Sequence, residues 1–335
     1  MSKVNKSGKI NNEHDVGYKY LLTTKQVFIQ LLQSFVDKDW VDQIDEANTE
    51  LIDKSLILPD FQEKEADLVY KMKLKEQEVI FYTLMELQST VDHQMPYRLL
   101  LYMVELWREI VKSSDDRKVN QKDFHLPVIV PIVLYNGAGN WTVPLEFKQT
   151  LGKATMFGDQ TLNFKYILLD VNRYTDIELL ELSNLISSIF YLDQKNKNPK
   201  ELYKKLKALT GALQNLTQKE FTLFQNWFKQ IVMKRFPEDQ HMKMEQTIDR
   251  ANPKEVNQMI SNLGEDLKRF YDEAQARGLK KGMEKGLEKG IEKGNKEKAI
   301  KVAEHLLLKG MSLADIAEVT ELSIEEVEDL KSNRN

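Results

Sequence analysis

The chain has 335 residues, 48 basic against 52 acidic side chains and no cysteine. Disulfides, cysteine-ligated zinc, iron–sulfur clusters and a thiol nucleophile are thereby excluded, and a reducing cytoplasm is the expected location. No run of about 18 apolar residues occurs, so no membrane span is expected, and a net charge of −4 leaves any nucleic-acid contact to local charge.

Residues 1–12 are polar and carry no apolar segment, so disorder rather than a secretory leader is expected there. From 15 to 35, Tyr18, Leu21, Leu22, Ile29, Leu32 and Phe35 recur at helical spacing and predict one or two amphipathic helices. Leu56-Ile57-Leu58 before Pro59 reads as a short edge strand. Asp67 to Lys73 alternates apolar and polar residues. After a polar tip, Val79 to Leu87 is almost continuously apolar but ends in Glu86 and Gln88. The pair of segments predicts an antiparallel hairpin whose second strand is buried.

Pro96 to Val111 returns to helical period, with a charged loop expected at Asp115 to Asp123. The apolar run ending at Asn136-Gly137 and the segment "NFKYILLDVNR" predict two more strands. Strand–helix–strand alternation of this kind means an α/β sheet covered by helices and ending near residue 172. From Asp176 onward every segment reads helical, with breaks at Gln194–Pro199 and at Phe236–Asp239.

Residues 277–294 form a repeat with glycine at 278, 282, 286, 290 and 294 and an apolar residue after most of them, at Leu279, Met283, Leu287 and Ile291. Each glycine inside a helix costs about 1 kcal/mol relative to alanine. Two readings stand: a charged linker helix, or a seam for self-association into a homodimer or higher homo-oligomer. The last segment has the form of a helix-turn-helix, with Ser312 and Ser323 placed as N-caps and Glu326 completing a capping box. Its would-be recognition helix is acidic, which disfavours phosphate contacts and favours a packing or protein-interaction unit.

The hairpin carries the chemistry. With the two-residue loop Glu76-Gln77, Lys75 faces Glu78; a four-residue loop, Lys75 to Glu78, keeps the same register, and in both Asp67 faces Glu86. Facing Cβ atoms lie about 4.5–5.5 Å apart, so the two carboxylates need a neutralising partner. A divalent cation held by oxygens would serve, and Mg²⁺ or Mn²⁺ suits such ligands. A three- or five-residue loop would spoil the pairing, and ordinary salt bridges of these acids with Lys71 or Arg98 are the competing reading. Gln88, on the Glu86 face, can hydrogen-bond a water or a phosphate oxygen but cannot act as a strong base.

An Asp opening one strand and Glu-x-Lys ending the next is the signature of the PD-(D/E)XK nuclease superfamily; here it reads Asp67…Glu86-Leu87-Gln88. More specifically, the chain resembles the recombination-promoting nuclease family, also described as putative transposases of the YhgA-like type. The matching stretches are "HDVGYKYLL", "ADLVYKM", "MELQSTVDHQMPYRLLLYMVELW" and "LPVIVPIVLYNGAGNWTVP", together with the glycine-repeat tail.

The resemblance implies a PD-(D/E)XK-like α/β core, a mixed central sheet flanked by helices, over 13–175. A helical extension (176–262), a glycine-repeat helix (263–300) and a small two-helix unit (301–335) would follow. It implies a metal-dependent DNA endonuclease of recombination or mobile elements. Asp67, Glu86 and the Leu87 carbonyl would hold Mg²⁺ or Mn²⁺, and Gln88 would stand at the superfamily's lysine position. Asp15 would supply another acid, with Lys19 and His14 as phosphate contacts. The alternative is a non-catalytic DNA-binding or interaction module that keeps the fold.

Overall fold

The computed structural model describes residues 16–52, 68–74, 80–194, 199–236 and 238–332. His14, Asp15, Asp67, the strand expected at Leu56–Leu58 and the hairpin tip at 75–79 lie outside the described residues. The chain divides into two compact units, Met1–Lys268 and Arg269–Asn335.

In the first unit, helices α1 (16–22) and α2 (Lys25–Phe35) satisfy the expectation of two amphipathic helices. A short strand β1 (Thr49–Leu51) follows. The hairpin strands are β2 (Leu68–Lys73) and β3 (Ile80–Gln88). Helix α3 (Met95–Ser113) starts with Pro96 in its first turn, where the missing N–H has no helical partner to lose. The loop expected at Asp115–Asp123 contains one helical turn, α4 (Asp116–Val119), because Asp115 accepts from the Arg117 N–H and caps it. Then come β4 (Val128–Tyr135) and β5 (Ile167–Asp170).

The five strands among the described residues form one mixed sheet in chain order. β1 and β3 run antiparallel to β2, while β3, β4 and β5 are mutually parallel. Pro131 is tolerated in β4 because the ladder with β5 begins only at Ile132, so the proline is flanked by β3 alone.

Alternation divides the sheet between two cores. Leu68, Tyr70, Met72, Met85, Leu87, Ile132, Leu134 and Leu169 face one cluster; Val69, Ile129, Val133 and Tyr135 face the other, against Leu99, Tyr102 and Leu106 of α3. The first cluster also takes buried residues from α5 (Asp176–Leu182), α6 (Leu185–Asp193), α7 (Pro199–Ala208), α8 (Thr210–Gln214), α9 (Gln218–Trp227) and α10 (Glu238–Asp249). Ile189, Phe190 and Trp227 therefore share one core with the sheet. Capping boxes fix the starts of α5 (Thr175 with Glu178), α6 (Asn184 with Ser187) and α9 (Thr217 with Glu220).

Helix α11 (Val256–Leu308) starts in the first unit and runs into the second, carrying all five repeat glycines. The second unit ends in α12 (Leu313–Thr320) and α13 (Ile324–Ser332). Ser312 and Ser323 cap these two helices as expected; Ser323 and Glu326 exchange both bonds of the capping box. Ala303, Ile316, Leu322 and Val327 are the buried core of this unit.

Candidate functional site

Because β2 opposes β3, and β3, β4 and β5 are parallel, the start of β2 lies at the same sheet edge as the carboxyl ends of the other three. Leu68, Gln88, Tyr135 and Asp170 mark that edge. Open parallel sheets bind ligands outside the carboxyl ends of their strands.

The hairpin register is that of an even-length loop. Leu68 faces Met85 and Lys73 faces Ile80. The described ladder stops one pair short of Asp67. Glu86 is placed by its backbone opposite Val133, and Gln88 opposite Tyr135. Arg98, one candidate partner for the hairpin acids, has Asp92 and Tyr102 among its partners: its Nη1 lies 2.6 Å from Asp92 Oδ2, and its Nε donates to the Tyr102 hydroxyl at 3.2 Å. Among the described residues no group of three or more His, Asp or Glu is placed to hold a metal ion. Two of the expected acids, Asp15 and Asp67, fall outside them.

Behind this edge lies a polar network absent from the sequence reading. The Asn136 N–H donates to the Gln88 carbonyl at 3.1 Å. The Asn136 side-chain amide donates to Asp193 Oδ2 at 3.2 Å, and the Tyr18 hydroxyl donates to the same oxygen at 2.8 Å. Arg235 binds Asp193 Oδ1 at 2.8 Å, and the Asp193 side chain is only 2% exposed. Burial, reinforced by the adjacent Asp193 charge, pushes the Tyr18 hydroxyl pKa well up, so Tyr18 stays a proton donor.

The chain of contacts Gln88–Asn136–Asp193–Tyr18 thus ties the end of β3 to helix α1. Lys19, half-buried, follows Tyr18 on that helix. No spacing rule could have found the network, since Tyr18, Asn136, Asp193 and Arg235 come from four separate segments. Only the Asn136-Gly137 stop carried a signal, and it read as a turn. Gly137 itself is required by close approach: a Cβ there would overlap the Tyr135 ring.

Beside the network a polar cleft of about 490 Å³ opens, lined in part by Gly139, Asp170, Asn172, Arg173, Glu201 and Lys205. Asp170 is nearly enclosed, and burial raises its carboxyl pKa; the Asn172 N–H and Arg173, 3.1 Å away, partly offset the shift. Lys205 Nζ donates to the Tyr191 carbonyl at 2.8 Å, and burial lowers its pKa. The cleft thus mixes both signs of charge at the ends of β4 and β5, one and two strands over from the β3 end at Gln88.

No curated protein and no solved structure matches the chain. The family described as "Putative transposase, YhgA-like" matches residues 12–223. That span takes in the whole sheet and three of the four network residues, Tyr18, Asn136 and Asp193, but neither Arg235 nor the glycine-repeat tail. The match covers more than half of the chain, which therefore belongs to the family of putative transposases, YhgA-like.

Proposed function

We propose that this protein is a metal-dependent DNA endonuclease acting in the recombination of mobile elements, built on a PD-(D/E)XK-like core. Membership of a transposase family supports DNA as the partner. The observation that carries the catalytic reading is the β2–β3 register. If the pairing continued by one more pair, Asp67 would stand opposite Glu86, where facing Cβ atoms lie about 4.5–5.5 Å apart. Two carboxylates so placed repel unless a cation joins them. Their hard oxygens, with the Leu87 carbonyl, suit Mg²⁺ or Mn²⁺. A metal held there would lower the pKa of a bound water and offset charge on the scissile phosphate.

The chain's own groups then have distinct tasks. Asp67 and Glu86 hold the cation. Gln88 donates its amide N–H to a phosphate oxygen or orients a water, without exchanging a proton. Lys19, next in sequence to Tyr18 on the helix that the Tyr18–Asp193–Asn136 contacts hold, would offset phosphate charge, with His14 as a second contact and Asp15 as a further acid.

Supercoiled plasmid incubated with the protein and Mg²⁺ or Mn²⁺ tests the reading. The wild type is expected to nick it, and Asp67→Ala and Glu86→Ala to lose at least about 10²-fold, the scale set by removal of one charge-stabilising group. Equal nicking by wild type and Asp67→Ala overturns the proposal. Gln88 favours one rival: a neutral amide at a position where the superfamily carries lysine stabilises phosphate charge less, as in a DNA-binding module that no longer cleaves. That rival predicts no heat of Mn²⁺ binding by calorimetry and unchanged DNA affinity in Glu86→Ala.

A further inference from the structure

The polar cleft at the ends of β4 and β5 has no task in the nuclease reading. Its volume of about 490 Å³ lies within the range of about 300–1,000 Å³ common to small-ligand sites. Two of its lining side chains are charged, opposite in sign and nearly enclosed: Asp170 is 6% and Lys205 7% exposed. Asp170 ends β5, and Lys205 comes from α7. An enclosed charge persists where its hydrogen bonds are filled. Here the described residues fill only part of each set. An ammonium carries three N–H groups, and the Tyr191 carbonyl takes one, at 2.8 Å. A carboxylate has about four acceptor positions; the Asn172 N–H uses one at 3.2 Å and Arg173 Nε another at 3.1 Å.

Two amides add acceptors. Gln194 Nε2 donates to the carbonyls of Val171 and Tyr174 at 2.9 and 2.8 Å, and Asn172 Nδ2 to those of Asn136 and Gly137 at 3.0 Å. Each amide thereby keeps its oxygen as a further acceptor in the cleft. Asp176 and Glu201 line the same cleft, and beyond burial their charges act on Lys205. Together with Asp170 they outnumber Arg173 and Lys205, a balance that repels a phosphate group and suits a neutral guest rich in N–H groups. Asp170 and Lys205 form no ion pair with each other: the charge that acts on Asp170 is that of Arg173. A guest that meets both has to carry acceptors on one side and donors on another.

We propose that this cleft binds a guanine base presented by a nucleic-acid strand, with O6 and N7 on Lys205 and the N1–H and N2 amino group on Asp170. Of the four DNA bases, guanine alone joins two adjacent acceptors to two adjacent donors; lysine is a regular partner of its O6/N7 edge. Arg173, 59% exposed and held through its Nε by Asp170, offers a guanidinium plane at the rim for stacking. The location fits a strand. Two strand spacings of about 4.8 Å put the end of β5 roughly 10 Å from the end of β3 at Gln88. A base drawn out of its stack into the cleft would then belong to a nucleotide near the phosphate held at β3. The strand as source rests on the DNA reading above; the binding of the base does not.

Calorimetry on the full-length protein, with divalent metal chelated, tests the site without cleavage. Guanosine is expected to bind saturably. Inosine, which lacks the N2 amino group, and 7-deazaguanosine, which lacks N7, are each expected to bind at least about ten-fold more weakly, the loss of one hydrogen bond to a charged group. This comparison needs no protein variant. Lys205→Met and Asp170→Asn, each checked for a wild-type urea midpoint, are expected to lose at least about ten-fold in guanosine affinity. Absence of guanosine binding, equal binding of inosine, or a folded Lys205→Met that binds as the wild type does overturns the proposal. A second arm identifies the source. Replacing one thymidine of a short thymidine strand by deoxyguanosine is expected to tighten strand binding at least about ten-fold; no gain, with guanosine still bound, overturns the strand and leaves a free nucleoside or nucleotide as the ligand. Guanosine binding by a protein that nicks no plasmid counts against the nuclease reading alone.

Discussion

The Asp193 carboxylate accepts from Tyr18 and Asn136 on one oxygen and from Arg235 on the other. Of these groups, the Arg235 side chain is 30% exposed. Removing a buried acid leaves its donors unpaired, which costs about 3–5 kcal/mol for an ion pair, and the exposure of Arg235 places this case at the low end. Asp193→Ala is therefore expected to lower the stability of the first unit by about 3 kcal/mol in urea unfolding. Tyr18→Phe, which deletes a single donor, is expected to cost about 1–2 kcal/mol. A loss below about 1 kcal/mol for Asp193→Ala would show that the network does not hold α1 to the sheet edge. At this scale the sequence was least informative. Tyr18 reads as an apolar helix residue and Asp193 as the end of a helix. Nothing in either position announces a partner 175 residues away in the chain, because hydrogen bonds between distant segments leave no periodicity.

Elements with a strong local signal were legible. The antiparallel β2–β3 pairing follows from alternation, and α3 from the period of its apolar residues, whereas the β2–β3 register stayed conditional on loop parity, which the sequence left open. β1 was not legible: Thr49-Glu50-Leu51 is too short and too polar to stand out, and it is a strand because β2 offers it an edge. The caps of the last two helices could be read from Ser312 and Ser323 alone, but the long-range partner of Glu326 could not. Lys296 of α11 lies 2.6 Å from Glu326 Oε1, and this bond, with the Ser323 N–H, holds the Glu326 carboxyl below its usual range. A depressed carboxyl pKa contributes stability that is present above the unfolded value and is lost as pH falls through the folded one. Glu326→Gln keeps a side chain able to close the capping box but removes the charge. It is expected to lower the melting temperature of the terminal helices at neutral pH. The difference from wild type should vanish at a pH well below the carboxylate range. A difference that stays constant across that range would assign the effect to packing instead of charge.

On the scale of the molecule, the sequence separates a sheet region from a run of helices, yet the structure gives them one core. Phe190 and Trp227 are buried in the same cluster as Leu134 and Leu169. Periodicity shows that a helix has an apolar face but not which surface covers it. The second unit is the opposite case, because its buried core is small and local: Ala303, Ile316, Leu322 and Val327. A cluster of this size stabilises its helices only marginally. A single buried charge should therefore unfold it, while distant sites without shared partners respond independently. Ile316 is fully buried, and an unpaired carboxylate in such a position costs several kcal/mol. Ile316→Asp is expected to remove hydrogen-exchange protection from the amides of 299–332. The slowest-exchanging amides of β3, β4 and α6 should keep wild-type rates. Calorimetry should show the main transition unmoved and any smaller one gone. If protection in β4 falls together with that of α12, the chain unfolds as one cooperative body, and the division at Lys268 marks geometry without marking stability.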